Sequence, residues 1–165
     1  MVILIHDTVI ALLLSKQYFG RLLVKRRVSM GIENTPQVQE SVICCEEVFN
    51  VDEKFTAKNM GSGEVDVLAT PAMVAFMERV AMNCMRRFVP ENHTSVGTRI
   101  EVVHLNPAPV GANIRVVARL KEIREKSFLF EVEAYWGRIL VGKGVHERRV
   151  VSVSRFMEKV RTMTP

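Results

Sequence analysis

Hydrophobic and polar positions follow two different periods along this chain. Residues 41–49 alternate with period two, as does nearly everything after Val96, and this pattern predicts β-strands. The later strands are expected at about 96–104, 112–123, 127–136 and 139–151. Short turns between the last three favour antiparallel neighbours, so we expect these four strands to form a meander.

One long helix is predicted between the first strand and the others. Its apolar residues recur at helical spacing, at positions 73, 77, 80, 81, 84, 85 and 88. Thr70 is the candidate N-cap, Pro71 suits the first helical position, and Pro90 limits the helix to an end near Phe88. The preceding polar stretch, residues 52–63, predicts a connection with one short helical turn.

About 18 helical residues span ~27 Å. A helix of that length packed on a curved antiparallel sheet gives a two-layer α+β fold, in which the sheet wraps the helix. Two strand faces are expected to be buried against it. The first comprises Val96, Thr98, Ile100, Val102 and His104, and the second Phe128, Phe130, Val132, Ala134 and Trp136.

The N-terminal residues differ from this body. Residues 1–33 combine a helical apolar pattern with basic residues that follow it, the reverse of the order in a signal peptide; a mitochondrial transit peptide is the remaining targeting alternative. Met30 opens a polar stretch that resembles an ordinary protein start. We therefore expect residues 1–29 to derive from an upstream start codon or to be an appended tail. This divides the chain into an N-terminal extension, residues 1–33, outside the native fold, and one domain, residues 34–165.

Composition and charge exclude several classes of function. The chain is 48% hydrophobic and 25% charged, which is typical of a compact soluble protein. Five of its 23 basic and one of its 18 acidic residues lie before position 31, which leaves 18 and 17, so the body lacks the excess charge that nucleic-acid binding requires. Its longest apolar run near the N-terminus, 9–14, is far below the ~20 residues of a membrane span. We expect no nucleic-acid partner and no membrane partner.

The cysteines suggest a reducing compartment. There are three, and the neighbours Cys44 and Cys45 would project to opposite faces of a strand. We expect no disulfide, three small buried apolar side chains and a cytoplasmic location. Neither a CxxC nor a His-rich spacing occurs, so no metal site is expected.

Glu78 is the one acidic residue in the apolar run LATPAMVAFMERVA, on the flank of the helical stripe. One interpretation is a border glutamate that turns into water. Thr70 lies eight residues earlier, ~12 Å and 80° away on the same side of the helix. His104 has the strand parity that faces the helix. Separately, Thr70 reads as an N-cap and His104 as a core histidine; together a hydroxyl, a carboxylate and an imidazole are the parts of an acyl-transfer or hydrolysis site.

His146 is the weaker histidine candidate. It shares a strand face with Gly142, Gly144 and Arg148.

At these residues the chain resembles a known family. The segments LATPAMVAFMERVA, SVGTRIEVVHLNPAPVG, FLFEVEA and VGKGVHERRVV are similar to hotdog-fold thioesterases of the fluoroacetyl-CoA thioesterase type, over roughly residues 40–156. The family's threonine, glutamate and histidine fall on Thr70, Glu78 and His104. Gly97 corresponds to a glycine close to the reacting acyl group.

The resemblance implies a hotdog fold and a thioesterase domain over residues 34–165. It also implies a homodimer that binds acyl-CoA at or near the subunit interface; the sequence does not decide between a dimer and a tetramer. Coenzyme A is then part of the substrate, and no separate cofactor is expected.

The leading hypothesis is hydrolysis of a short-chain acyl-CoA to a free acid and coenzyme A. Thr70 or Glu78 would attack the carbonyl carbon, directly or through water, and His104 would carry the proton. Pro71 has no N–H, so the oxyanion donor is expected to be the amide of Ala72 or of Gly97. The family, together with the bulky residues Phe76, Met77 and Met85, suggests a small acyl group, although these three fit the core equally well.

Two other functions remain open. A hotdog enoyl-CoA hydratase would need a histidine near the helix start, whereas no histidine occurs between His6 and His93. A non-catalytic acyl-CoA binding or sensing module would keep the pocket without using its three polar groups.

Overall fold

The structure, a computed structural model, describes residues 29–30, 36–37 and 43–164. The chain divides into two compact units, Met1–Ile43 and Cys44–Pro165. In the first unit, strand β1 (Ser29–Met30) pairs antiparallel with strand β2 (Pro36–Gln37). The second unit contains the elements that the alternating pattern predicted.

Residues 1–28 lie outside the described residues. The predictions of an upstream start codon, a transit peptide or an appended tail therefore stay predictions, as does the division of the chain at residue 33.

The described part of the second unit comprises five strands and two α-helices. The strands are β3 (Cys44–Asn50), β4 (His93–His104), β5 (Asn113–Arg124), β6 (Ser127–Trp136) and β7 (Ile139–Ser152). The helices are α1 (Thr70–Met85) and α2 (Val153–Thr162), with short 3-10 helices at Glu53–Phe55 and Arg86–Phe88. No helix within these residues is long and apolar enough to cross a membrane.

The five strands form one antiparallel sheet in the order β3-β5-β6-β7-β4. The hairpins β5-β6 and β6-β7 are as predicted, but the four-strand meander is wrong because β4 pairs with β7 and not with β5. The connection after β4 crosses the end of the sheet. Its Leu105 N–H donates to the carbonyl of Val141 on β7, and Gly111 N–H donates to the carbonyl of Val51 just beyond β3, both at 2.8 Å.

Helix α1 packs its apolar stripe against one face of this sheet. Four residues of the predicted stripe are fully buried, namely Met73, Met77, Ala81 and Met85. The facing residues of β6 are buried as predicted, except that Trp136 is 36% exposed at the end of its strand. Burying each large side chain contributes ~1.5–3 kcal/mol, so this interface forms the core and fixes the helix on the sheet.

The start of α1 differs from its predicted form. Ala69, in an extended conformation, occupies the N-cap position and makes no side-chain capping bond, and Thr70 is the first helical residue. The prediction of Thr70 as the N-cap is therefore wrong, and its hydroxyl is available for other contacts. At the other end, α1 stops at Met85 and a 3-10 helix continues to Phe88.

A β-bulge changes which side chains of β4 face the helix. Pairing with β7 shifts between Gly97 and Arg99, so Thr98 is the extra residue. Ile100, Val102 and His104 keep the predicted inward parity, whereas before the bulge the buried residue is Ser95. The prediction that Val96 and Thr98 face the helix is therefore wrong.

The cysteine predictions are also wrong. Cys45 of β3 and Cys84 of α1 form a disulfide with Cα atoms 5.6 Å apart, and Cys44 is exposed. Cys44 and Cys45 do project to opposite faces. The partner of Cys45 lies on helix α1. The spacing of the cysteines in the sequence does not show how this helix is positioned against β3, so the pairing was not predictable.

Helix α2 was not predicted. It follows β7 directly, and its apolar residues Val153, Phe156, Met157 and Val160 lie on one side and are exposed. Their i, i+3, i+4, i+7 spacing is typical of a helix. The helix directly follows the alternating pattern of β7, so the change of period at Val153 was not recognised.

Candidate active site

Thr70 and His104 form a direct contact at the start of α1. Thr70 Oγ1 lies 2.8 Å from His104 Nδ1. Thr70 is exposed at the first helical position, and His104 is the last residue of β4. A hydroxyl within hydrogen-bond distance of an imidazole is the arrangement in which histidine activates an oxygen nucleophile.

The second ring nitrogen of His104 completes this geometry. Nε2 is buried and has no hydrogen-bond partner among the described residues. A buried polar atom without a partner is costly, so one that persists beside a candidate nucleophile indicates a site for a ligand or a water. The interpretation of His104 as a satisfied core histidine does not fit this environment.

Ala72 lies in the first turn of the same helix. The first amides of an α-helix have no helical carbonyl to bind, and they lie at the positive end of the helix dipole. Met73 N–H is already bonded to the carbonyl of Ala69 at 3.0 Å, whereas Pro71 has no N–H. The amide of Ala72 comes before the first helical hydrogen bond of this turn. Of the two predicted oxyanion donors, it is the one that lies in the first turn of α1.

Glu78 lies two turns further along α1, in a different set of contacts. Its side chain is 41% exposed, and Oε1 lies 3.7 Å from Nε2 of His146. It is therefore neither a fully solvated border residue nor a buried one. Among the described residues, no hydrogen bond or ion pair joins Glu78 to Thr70 or His104.

Gly97 brings strand β4 close to this carboxylate. A Cβ at position 97 would lie 2.6 Å from Oε1 of Glu78 and 3.0 Å from Cε1 of His146. Such distances are too short for any side chain without displacing one of them. The glycine identified from the sequence therefore lies beside Glu78 and His146, and its missing side chain lets the two approach.

Behind Glu78, three buried polar side chains form a network. Arg148 donates from Nε to Ser95 Oγ at 3.0 Å and from Nη2 to the Ser95 carbonyl at 2.7 Å. Its Nη1 lies 3.0 Å from Nε2 of His146 and 3.4 Å from the backbone carbonyl of Glu78. His146 Nδ1 lies 2.9 Å from the carbonyl of Arg99.

The electrostatics of this network keep His146 neutral. Burial lowers the pKa of His146, and the positive charge of Arg148 lowers it further, against the raising effects of the Arg99 carbonyl and the Glu78 carboxylate. Burial also lowers the pKa of Arg148, opposed by the charge of Glu78. With a neutral imidazole, the 3.7 Å approach of His146 to Glu78 is not an ion pair.

The structure places His146, the weaker histidine candidate of the sequence, in a buried network with Arg148 of the same strand face and with Ser95, which the sequence did not suggest. The face shared by Gly142, Gly144, His146 and Arg148 was identified, but not its burial. The sequence offered one signal for this network: Gly142, Gly144, His146 and Arg148 lie on one strand face at period two. Histidine and arginine are seldom buried together on a strand unless their polar groups are paired.

A separate cavity of about 590 Å³ lies at the end of β3. Its lining includes Val48, Gly111, Asn113 and Trp136, but none of the five predicted site residues. Its lining holds no carboxylate, imidazole or hydroxyl group, in contrast to the surroundings of Thr70, Glu78 and His104. Within the described part of the chain, no group of three or more His, Cys, Asp or Glu side chains could hold a metal ion.

Comparisons with known proteins agree with this fold. The family model for fluoroacetyl-CoA-specific thioesterases matches residues 51–154. A fluoroacetyl-CoA thioesterase of Streptantibioticus cattleyicolor is 34% identical over 100 residues, which are 61% of this chain and 72% of that protein.

Two solved structures extend the comparison. A fluoroacetyl-CoA thioesterase variant in which serine replaces a threonine, in complex with acetyl-CoA, superposes with a TM-score of 0.70 at 28% identity and covers 74% of this chain and 96% of its own. A hot-dog-like protein from Thermanaerovibrio acidaminovorans, at 24% identity, gives a TM-score of 0.68 over 74% of this chain and 92% of its own. The hotdog fold predicted from the sequence is confirmed, and the chain belongs to the fluoroacetyl-CoA-specific thioesterase family.

Proposed function

We propose that this protein hydrolyses a short-chain acyl-CoA thioester to a free acid and coenzyme A. The family supports the thioesterase class. The observation that carries the proposal is the 2.8 Å contact between Thr70 Oγ1 and His104 Nδ1 at the N-terminus of α1. It pairs an exposed oxygen nucleophile with a base, beside a helix end that stabilises negative charge.

The same contact favours Thr70 as the nucleophile. Nδ1 of His104 accepts the hydroxyl proton while Oγ1 attacks the thioester carbon, and the Ala72 amide stabilises the oxyanion. The carbon–sulfur bond then breaks, and the proton on His104 passes to the departing sulfur of coenzyme A.

Glu78 serves the second half of the reaction. Water attacks the acyl-threonine ester and transfers one proton to Glu78. The bond between the acyl carbon and Thr70 Oγ1 breaks, the remaining proton of that water passes to the Thr70 oxygen, the acid departs as its carboxylate, and Glu78 releases its proton to solvent. The ~12 Å of helix rise between Thr70 and Glu78 leaves room for the acyl group and a water between them. This spacing supports a carboxylate that acts through water and not by direct attack.

The size of the acyl group rests on the family alone. Phe76, Met77 and Met85 are all buried, and the ring of Phe76 stacks on that of Phe49. Their bulk fills the core, so it carries no information about the substrate. A short chain, including fluoroacetyl, remains part of the proposal.

We also propose the homodimer that the resemblance implied. Strand β4 is an edge of the sheet, and Val103 on it and Leu105 just beyond it are 55% and 45% exposed. A second copy would cover this edge. Light scattering should give about twice the 18.7 kDa of one chain; a mass that stays monomeric at high concentration would contradict the dimer.

The cytoplasmic location and the lack of a separate cofactor stay predictions. Hydrolysis by a hydroxyl, an imidazole and a carboxylate needs no further group, which supports the second. The Cys45–Cys84 disulfide weighs against the first, because disulfides are rare in reducing compartments.

Release of free thiol from acetyl-, fluoroacetyl-, propionyl- and longer acyl-CoAs tests the activity. Thr70→Val keeps the shape of the side chain but removes the hydroxyl, and should lower kcat at least ~100-fold, whereas Thr70→Ser should retain most activity. Binding of every acyl-CoA without turnover would favour the sensing module instead. Hydration of a 2-enoyl-CoA without thiol release would favour the hydratase.

A further inference from the structure

Three buried polar side chains behind Glu78 have no part in the mechanism above. Ser95, His146 and Arg148 are 7%, 1% and 5% exposed. We infer that His146 is a positioning residue for Glu78: its Nε2 lone pair accepts a hydrogen bond from the Glu78 carboxyl group once Glu78 has taken the proton of the attacking water. This inference rests on the proposed role of Glu78 as general base.

Arg148 holds the network in place. Its donors reach Ser95 on β4, His146 on its own strand and the Glu78 carbonyl on α1. A buried guanidinium is tolerated only where its N–H groups have partners, and these partners lie on the helix and on both strands of the β4-β7 pair. The position of the imidazole relative to the helix is therefore fixed.

The partners of His146 determine which nitrogen carries its proton. A backbone carbonyl only accepts, so Nδ1, 2.9 Å from the Arg99 oxygen, must be the protonated nitrogen. A guanidinium only donates, so Nε2, 3.0 Å from Arg148 Nη1, must present its lone pair. This tautomer leaves Nε2 as an acceptor 3.7 Å from Glu78 Oε1, and its one lone pair is then shared between Arg148 Nη1 and the protonated Glu78 carboxyl group.

The contact with Glu78 changes during the proposed reaction. While the carboxylate is ionised, neither Oε1 nor Nε2 carries a proton, and the 3.7 Å between them is too long for a hydrogen bond. When an O–H bond of water breaks and the proton joins Glu78, its new O–H group can donate to Nε2 after a shift of about 1 Å. The hydrogen bond between Glu78 and His146 then forms only as the proton is transferred. An interaction that is stronger in the transition state than before it accelerates the attack of water.

Gly97 provides the room for this movement. Because any Cβ there would lie within 3.0 Å of both Glu78 and His146, only glycine leaves the carboxyl group a path to the imidazole. The same feature separates His146 from an ordinary core histidine, which has no reason to face a half-exposed carboxylate.

Two substitutions at this position test the inference. The amide of Gln reaches approximately the position of Nε2, whereas that of the shorter Asn reaches only the position of Nδ1. His146→Asn should lower kcat about tenfold with KM unchanged, and His146→Gln should stay within about threefold of the parent protein. Val132→Ala, a buried change on β6 away from Glu78, is the control for lost stability and should lower the melting temperature but not kcat.

A double-mutant cycle separates positioning from a general structural role. In a Glu78→Gln background, His146→Asn should cost nothing further, because the proton acceptor it serves is already absent. If the double variant instead shows the product of the two separate losses in kcat, the inference is overturned. A kcat of His146→Asn equal to that of the parent protein would also overturn it. If the asparagine variant does not fold, a tenfold loss in a well-folded His146→Gln would overturn it and parent-like kcat would support it. Unchanged kcat in Glu78→Gln would instead overturn the proposed role of Glu78.

Discussion

Gly97 is the position of the candidate site at which the packing depends most on a missing side chain. Strand β4, helix α1 and strand β7 meet there, and the approach of Glu78 to His146 occupies the space where a Cβ would lie. Position 97 has no positive φ to explain the glycine. Its requirement is therefore one of space beside the Glu78 carboxylate.

Replacing Gly97 with Ala should impair catalysis more than folding. The added Cβ, 2.6 Å from Oε1, must push the Glu78 carboxyl group away from His146, and the exposed side chain can move outward at little cost. We expect kcat to fall ~10- to 100-fold in the thiol-release assay, with a small change in melting temperature. Gly63→Ala, in an exposed loop where the Cβ meets only Ala57, is the matched control. Equal activity of the two variants would contradict this account.

The sequence identified individual residues of the candidate site, but it did not show which of them contact one another. Helical and strand periodicity selected Thr70, Glu78 and His104, and the structure pairs the first with the third. Periodicity gives the direction of a side chain, not its neighbours. Glu78 therefore lies with His146 and Arg148, which belong to a strand far along the chain and which no local pattern connects to α1.

At the scale of elements, the hydrophobic periodicity predicted the strands and the main helix. The wrong predictions fall where the structure departs from a regular strand or helix. The bulge at Thr98 reverses the parity of β4 before it, so Ser95 and not Thr98 lies inside. A bulge depends on hydrogen bonding with the partner strand, which the sequence of one strand does not contain. The unpredicted α2 and the disulfide share this origin, because each depends on where a neighbouring element ends or packs.

The Cys45–Cys84 disulfide should make the attachment of α1 to β3 sensitive to reductant. It closes a loop with a sequence separation of 39, for which chain entropy alone gives about 4 kcal/mol. Cys45→Ala/Cys84→Ala, or a reducing agent, should lower the melting temperature by about 10 °C. The exposed Cys44 is the control, since Cys44→Ala should leave both the melting temperature and its response to reductant unchanged. A parent protein that melts identically with and without reductant would refute the contribution.

At the scale of the whole molecule, one long connection determines which residues can meet. The segment after His104 crosses the end of the sheet, so β4 becomes an edge beside β7 and the Gly97–Arg148 pairing becomes possible. The predicted meander would have placed β4 beside β5, whose facing residues are apolar. The polar network, and with it the environment of Glu78, is thus a consequence of topology.

His146 also links this network to the stability of the whole domain. Its pKa in the folded protein is lowered by burial below the ordinary ~6.5, so between the two values the unfolded chain binds a proton that the folded protein does not. The contribution of His146 to the free energy of unfolding is therefore fully present above pH ~6.5. It decreases as the pH falls from there toward the folded-state pKa, by at most about 1.4 kcal/mol per pH unit.

Urea unfolding at pH 7.5 and 5.5 measures this effect. The parent protein should lose more stability between the two pH values than His146→Gln, whose side chain takes up no proton. Glu133, whose pKa is lowered by its hydrogen bond with Arg119, contributes in a separate window: its stabilisation is present above about pH 4.5 and is lost below it. Equal losses in the parent and the variant would show that the folded protein accommodates a charged imidazole beside Arg148, which the tautomer assigned from its hydrogen bonds forbids.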